Sequence, residues 1–256
     1  GTVEIEGKTY QMLDTNFPTI DPNDPYRLSP EEEEVIERLV NAFSGCEKLQ
    51  RHMHFLLKKG SLYKVYNGNL LYHGCVPLEE DGSFSKVEVY GKQYQGRELY
   101  DTLEKYVRKA FFAVDEEERQ KGRDILWYIW SGSSSPLYGK HKMATFERCF
   151  LAEDEPKVEY KNAYYKFLEN EEVLDRILDE FQVKGNDRHI INGHVPVHHM
   201  SGESPAKCNG KLLIIDGGFS KAYQKETGIA GYTLINNSWG LVLAAHEPFT
   251  STEDAI

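Results

Sequence analysis

Two short apolar runs of this 256-residue chain each end in a histidine beside a glycine. Residues 70–74 read Leu-Leu-Tyr-His-Gly, and residues 190–194 read Ile-Ile-Asn-Gly-His. Such a run, stopped by glycine, is typical of a buried strand that ends in a turn. Because neighbouring strands of an α/β sheet aim their terminal residues into one crevice, the pattern predicts a sheet with His73 and His194 at one edge.

These two histidines are candidate metal ligands. The glycine beside each one allows unusual backbone angles and the close approach of a ligand. Neutral imidazole in such a position is a natural ligand for zinc, manganese or iron. A histidine that only satisfies a structural hydrogen bond is the competing interpretation, and the residues by themselves leave both interpretations open.

The rest of the chain predicts a mixture of helices and hairpins. Ser29, Pro30 and Glu32 form a helix opening before an apolar stripe, and Asn67-Gly68 is the dipeptide preferred by type I′ turns. Other predicted elements are helices at 46–59, 96–113, 115–121 and 161–182, strands at 62–66, 70–72, 188–192 and 211–215, and a hairpin within 232–244. This mixture belongs to the α+β or α/β classes.

The charge distribution bears on the ligand class. The chain has 41 acidic and 30 basic side chains and a formal net charge of −11, which argues against nucleic acid or an anionic membrane as partner. Basic side chains nevertheless outnumber acidic ones within residues 131–150 and 183–228. A phosphorylated ligand needs such local compensation or a metal ion, so these segments are where it would bind.

The cysteines and the hydropathy pattern bear on the compartment. Cys46, Cys75, Cys149 and Cys208 stand far apart without a Cys-x-x-Cys motif, which suits free thiols in a reducing cytoplasm. No apolar run approaches the ~20 residues that cross a bilayer. We therefore expect a cytoplasmic protein.

The histidine stretches also carry a family resemblance. Residues 71–75 and 192–197 resemble the last two histidine motifs of calcineurin-like metallophosphatases, whose usual forms are His-Gly-Gly and Gly-His-Thr-Pro. Over nearly its whole length the chain is similar to one branch of that superfamily, the class III fructose-1,6-bisphosphatases. The matching stretches are residues 70–78, 124–148, 193–197, 214–221 and 227–232.

The resemblance implies a fold and a reaction. The fold would be the C-terminal part of a metallophosphatase-type α/β sandwich, with a mixed sheet, hairpins and flanking helices, over residues 29–256 after an extended lead-in at 1–28. The reaction would be the manganese-dependent, two-metal hydrolysis of fructose 1,6-bisphosphate to fructose 6-phosphate in gluconeogenesis. His73 and His194 would bind the same metal ion, and Asp216 would close the adjacent turn as structure.

Four basic residues are candidates for the substrate's phosphates. Lys140, Lys142 and Arg148 follow a Ser/Gly-rich loop, and Lys221 follows the Gly217-Gly218 turn. A solvated basic surface is the alternative interpretation of all four. The sequence alone does not decide between these interpretations.

The chain also departs from the family pattern, because it contains no Gly-Asp dipeptide. Its only Asp-x-His, at residues 187–189, lies immediately before Gly193-His194, whereas the family places that motif far upstream. The bridging carboxylates are therefore missing, and no catalytic residue is assigned. We expect the C-terminal portion of a longer enzyme, whose N-terminal half would be its partner and without which it is inactive or nearly so.

Three further expectations follow. A truncated chain would expose an apolar sheet face or edge, so copies would self-associate into a homo-oligomer. Within the superfamily, another phosphatase or a nucleotide hydrolase is the alternative function. Outside it, the alternative is a non-catalytic module that binds sugar phosphates or assists assembly.

Overall fold

The computed structural model describes residues 1–218, 220–229, 231–246 and 251–255, so Phe219 and Ala230 of the matching stretches lie outside the described residues. Helices and a mixed sheet are both present, which confirms the mixed α and β class. Among the described residues, none of the helices combines the length and apolar character that a membrane span requires.

The structure contains eight α-helices and eleven strands among the described residues, interleaved along the chain. The helices are α1 (Pro30–Ser44), α2 (Glu47–Lys59), α3 (Gly96–Phe112), α4 (Glu116–Ser131), α5 (Thr145–Phe150), α6 (Glu171–Glu180), α7 (Lys221–Thr227) and α8 (Thr252–Ala255). The strands are β1 (Thr2–Ile5), β2 (Lys8–Gln11), β3 (Tyr63–Tyr66), β4 (Asn69–Tyr72), β5 (Val87–Val89), β6 (Lys92–Tyr94), β7 (His189–Asn192), β8 (Ala206–Lys207), β9 (Leu212–Ile214), β10 (Tyr232–Asn237) and β11 (Gly240–Ala245).

The chain divides into two units. One consists of Gly1–Gly60 with Met143–Glu159, and the other of Ser61–Lys142 with Tyr160–Ile256. The boundary between residues 28 and 29 was a prediction about a longer catalytic domain, and it stays a prediction. Within the first unit, β1 and β2 pair as an antiparallel hairpin inside the segment predicted to be merely extended.

The larger unit is built on a five-stranded sheet in the order β3-β4-β7-β9-β8. Strands β4, β7 and β9 are parallel, with Leu70 opposite Ile190 and Ile190 opposite Leu212. The antiparallel strands β3 and β8 form the two edges. Because β4 and β7 run in the same direction in register, the residues that follow them meet at the same edge of the sheet.

One face of this sheet supplies the main core. Leu70, Ile190 and Leu212 are fully buried there. Helix α6 covers them with an apolar stripe at helical spacing, and the rings of the core include Tyr72, Tyr100, Tyr164 and Phe181. The core therefore fixes the strands whose ends carry the histidines.

Two predicted helices have different bounds in the structure. The predicted helix at 161–182 is a 3₁₀ turn, Ala163–Lys166, followed by α6, because the Asn162 and Asn170 side chains each accept a backbone hydrogen bond and begin a new element. The helix predicted for 115–121 continues to Ser131, because Ile125 and Ile129 lie four residues apart on its buried face.

Gly122 allows α4 to lie very close to α3. A Cβ atom at this position would lie 2.2 Å from the Ala110 nitrogen and 2.6 Å from the Tyr106 carbonyl oxygen. Gly→Ala inside a helix ordinarily stabilises it by about 1 kcal/mol. Here we expect Gly122→Ala to lower the free energy of unfolding by about 1–3 kcal/mol, because the two helices must separate.

Urea denaturation measures this effect, with Gln120→Ala on the exposed face of the same helix as the control. The control should change stability by less than about 0.5 kcal/mol. A Gly122→Ala variant more stable than the parent would contradict the close packing of α3 and α4.

Candidate functional site

His73 and His194 lie in contact at the edge where β4 and β7 end. The Nε2 atom of His73 is 3.0 Å from Nδ1 of His194, and the ring centroids are 4.8 Å apart. The two loops are also joined through the backbone, since the Gly193 N–H donates to the His73 carbonyl oxygen at 3.0 Å. The structure therefore brings together the two residues that the sequence selected as metal ligands.

A backbone carbonyl sets the proton position on His194. Its Nε2 lies 2.8 Å from the carbonyl oxygen of Tyr138, and because a carbonyl oxygen only accepts, Nε2 carries the proton. The lone pair of His194 is then on Nδ1, which faces His73. Such an outer hydrogen bond is what fixes the tautomer and the ring orientation of histidines that bind metals.

Both imidazoles are biased towards the neutral form. Protein surrounds much of the His73 ring although one side reaches solvent, and this partial burial, together with His194, lowers its pKa. Burial is also the main cause of the lowered pKa of His194, where the Tyr138 carbonyl opposes the shift and Lys140 adds to it. Neutral imidazole is the form that binds a metal ion.

The donor set fits part of a metal site. Two adjacent neutral imidazoles can fill two positions of one divalent cation, either the borderline Zn²⁺ or, with oxygen ligands beside them, the harder Mn²⁺. Within the described residues, no group of three or more His, Cys, Asp or Glu side chains could hold an ion. Asp216 influences both rings electrostatically, but its Oδ1 accepts the Gly218 N–H at 2.8 Å across the turn. An ion held by these two imidazoles would therefore need further ligands beyond this pair.

Buried hydrogen bonds hold the two histidine loops together. The Asn192 amide nitrogen donates to the Gly74 carbonyl oxygen at 3.1 Å and to the Tyr164 hydroxyl at 2.9 Å. That hydroxyl also lies 2.8 Å from the hydroxyl of Tyr72. Asn192 is 3% exposed, and its position beside two isoleucines in a buried strand was a signal that sequence reasoning did not use. Tyr164 carries no sequence signal, because it lies far from both loops along the chain.

Cys75 reports on the burial of the His73 loop. It is fully buried, and burial raises the pKa of its thiol to about 12. Since the thiolate is the reactive form, we expect Cys75 to react with iodoacetamide at pH 8 far more slowly than the exposed Cys46 and Cys149. Mass spectrometry of timed samples measures the three rates. Alkylation of Cys75 as fast as that of Cys46 in the folded chain would show that the loop is open.

The four basic candidates have different surroundings within their own units. Lys140 is close enough to lower the pKa of His194, and its Nζ lies 5.5 Å from the Tyr138 ring centroid. Lys142 lies in the same unit, and its carbonyl accepts the Tyr138 hydroxyl at 3.0 Å. Arg148 belongs to the other unit, where it pairs with Glu159 at 3.2 Å. Lys221 is exposed at the first position of α7.

Lys161 is a basic residue that sequence reasoning missed. It pairs with Lys140 in an isolated β-bridge and, like Lys140, lowers the pKa of His194. The twenty residues between these two lysines carry no pattern that predicts the bridge. The positive charge beside the histidine pair therefore comes from two separate segments.

The rejected Asp-x-His motif lies at the other end of β7. His189 begins that strand, whereas His194 follows its last residue. The Oδ1 atom of Asp187 lies 3.3 Å from Nε2 of His189. This motif does not join the histidine pair.

The comparisons with known proteins concern the sequence as a whole. A family model described as Firmicute fructose-1,6-bisphosphatase matches residues 1–256. Proteins named fructose-1,6-bisphosphatase class 3 are 56% identical to the chain in Clostridioides difficile, 52% in Clostridium tetani and 53% in Listeria innocua, over 257 residues each. These alignments cover 100% of this chain but 39% of each relative. No solved structure matches. The resemblance read from the histidine motifs is confirmed, and the chain belongs to the Firmicute fructose-1,6-bisphosphatase family.

Proposed function

We propose that this chain is part of a fructose-1,6-bisphosphatase, which hydrolyses fructose 1,6-bisphosphate to fructose 6-phosphate and phosphate. The observation that carries the proposal is the contact between His73 and His194 at 3.0 Å, in a chain that matches the family over its whole length. We propose Mn²⁺ as the cofactor. Two such ions, when bound, would lower the pKa of an attacking water and neutralise phosphoryl oxygens.

Residues of this chain would orient the two imidazoles and attract the anionic substrate. The Tyr138 carbonyl holds the His194 ring so that Nδ1 faces the site, 3.0 Å from the Nε2 of His73. The other tautomer of His73, with its proton on Nδ1, would direct an Nε2 lone pair to the same place. Lys140 and Lys161 place positive charge beside the rings, which would favour an anionic sugar phosphate. Lys142, Arg148 and Lys221 stay predictions as phosphate ligands.

We propose that the remaining metal ligands come from further polypeptide. The chain aligns with 39% of the length of these relatives, so the remaining part of each relative could contain the missing carboxylates. Activity of the 256 residues alone would then be near background. The lack of a three-residue ligand group in the described part favours, as second candidate for the chain alone, a non-catalytic module that binds sugar phosphates or assists assembly.

We also propose that the protein acts in the cytoplasm and in gluconeogenesis. All four cysteines are free thiols, which supports a reducing compartment. Release of phosphate from a sugar bisphosphate is effectively irreversible in water, which suits a step that commits carbon to sugar synthesis. Both parts of this setting rest on the proposed activity.

A segment exchange tests the proposal. The C. difficile protein, with its matching residues replaced by this chain, is assayed for phosphate release from fructose 1,6-bisphosphate with Mn²⁺, beside the 256-residue chain alone. We expect turnover within about tenfold of the parent for the hybrid, which is about 1.4 kcal/mol of transition-state free energy, and background for the chain.

A panel of nucleotides and other sugar phosphates accompanies this assay. A folded hybrid that hydrolyses nucleotides but not the sugar bisphosphate would favour another hydrolase. Ordinary turnover by the isolated chain would refute its predicted inactivity.

A further inference from the structure

Helix α1 presents an apolar stripe that nothing covers in the described residues. Its stripe residues are 49–64% exposed, and α1 contains no buried residue. They are Val35, Ile36, Leu39, Val40 and Phe43. The helix is nonetheless well defined, because the Ser29 hydroxyl and the Glu32 carboxylate form a reciprocal capping box. An amphipathic helix normally buries such a stripe, so the stripe of α1 has no covering partner among the residues that the structure describes.

Helix α2 shows a smaller surface of the same kind. Phe55 is 67% exposed and Leu56 is 58% exposed, and α2 likewise contains no buried residue. Only residues 45 and 46 separate the two helices. Because Phe43 and Phe55 both stay exposed, the two helices do not bury each other's apolar side chains.

The two helices carry opposite charge. Helix α1 has five Glu and one Arg, for a net charge of −4. Helix α2 has three Lys, one Arg and one Glu, for a net charge of +3 with histidine neutral. A partner for α1 should therefore be an amphipathic helix with basic side chains, and α2 is such a helix.

We infer that helices α1 and α2 dock on the same two helices of a second copy of this chain, with α1 of each copy against α2 of the other. A two-fold arrangement makes both contacts at once, because the same patch serves on both copies. The apolar stripes pack as in antiparallel helix bundles, and acidic α1 meets basic α2. Pairing α1 with α1 would instead oppose two negative helices. This inference is independent of the proposed catalytic activity.

Sedimentation velocity of the 256-residue chain between 1 and 100 µM tests it. We expect a reversible dimer whose dissociation constant rises at least about tenfold in Leu39→Asp, because a carboxylate would be buried without a partner. Asn41→Asp is the matched control, since it lies about 200° around the helix from Leu39 and leaves the stripe intact. Circular dichroism establishes that both variants keep their helices.

Charge reversal tests the pairing of α1 with α2. Glu33→Lys with Glu37→Lys should weaken the dimer, and adding Lys48→Glu with Arg51→Glu should restore it. A wild-type chain that stays monomeric up to 100 µM would overturn the inference, and so would an equally tight Leu39→Asp dimer. Failure of the second charge pair to restore association would overturn the α1-on-α2 arrangement.

Discussion

Replacing His73 or His194 with alanine in the C. difficile hybrid is expected to lower kcat/KM for fructose 1,6-bisphosphate by about 100-fold or more. Loss of residues that merely orient metal ligands already costs about 10–100-fold, and loss of a ligand should cost at least as much. The two single variants should resemble each other and the double variant, because both rings would serve one ion.

The control for this experiment is Lys92→Ala, at an exposed position of β6 outside the histidine pair. It should keep activity within about twofold of the hybrid, because an exposed side chain away from any specific contact contributes little. Thermal unfolding separates a loss of metal from a loss of fold. A folded His194→Ala hybrid with near-normal kcat/KM would show that the histidine pair does not take part in the reaction.

The second large effect is expected from Gly74→Ala. A Cβ atom on Gly74 would lie 2.5 Å from the Pro136 carbonyl oxygen and 2.8 Å from the Leu137 carbonyl oxygen. Both are backbone atoms, and the Cys75 N–H already donates to the first of them at 2.9 Å. The His73 loop must therefore shift, which should lower the free energy of unfolding by about 1–3 kcal/mol and reduce activity at least about tenfold.

Gly193→Ala is the matched control beside the other histidine. Its Cβ would lie 3.4 Å from Cβ of Asp216, which is an ordinary contact. We expect a change in stability below about 1 kcal/mol and activity within about threefold. If Gly193→Ala were the more damaging of the two in urea denaturation and in kinetics, the close approach at Gly74 would not be what positions His73.

The sequence predicted the edge of the sheet because both signals are local. An apolar run that stops at glycine identifies the end of each strand, and parallel pairing places both ends on one side. The contact between His73 and His194 follows from these two facts. The bounds of the helices were less accurate, because Asn170 competes for backbone hydrogen bonds and begins α6 later than the apolar pattern suggests.

What surrounds the histidines could not be predicted in the same way. The Tyr138 carbonyl contacts His194, and the charge of Lys161 lowers the pKa of His194, from segments far along the chain. A backbone carbonyl also leaves no trace in residue type. Arg148 was grouped with Lys140 by proximity in sequence; it belongs to the other unit, and its role as a phosphate ligand stays a prediction. The stripe of α1 was predicted correctly, but its exposure depends on tertiary packing.

Self-association also stays a prediction, but the structure indicates which surface of the chain would form the interface. The sequence pointed to an exposed sheet face or edge, and the edge strand β3 does expose Val65 and Tyr66. The stripe of α1 is larger and is matched in charge by α2. We therefore place the expected interface on the helices rather than on the sheet.

The most direct test of the central claim is the manganese content of the hybrid with and without the two histidines. Inductively coupled plasma mass spectrometry after equilibrium dialysis counts the bound ions per chain. We predict two ions in the hybrid and one in the folded His73→Ala/His194→Ala double variant, since both rings would serve the same ion. Two tightly bound ions in the double variant would contradict the assignment of this histidine pair as a shared metal ligand set.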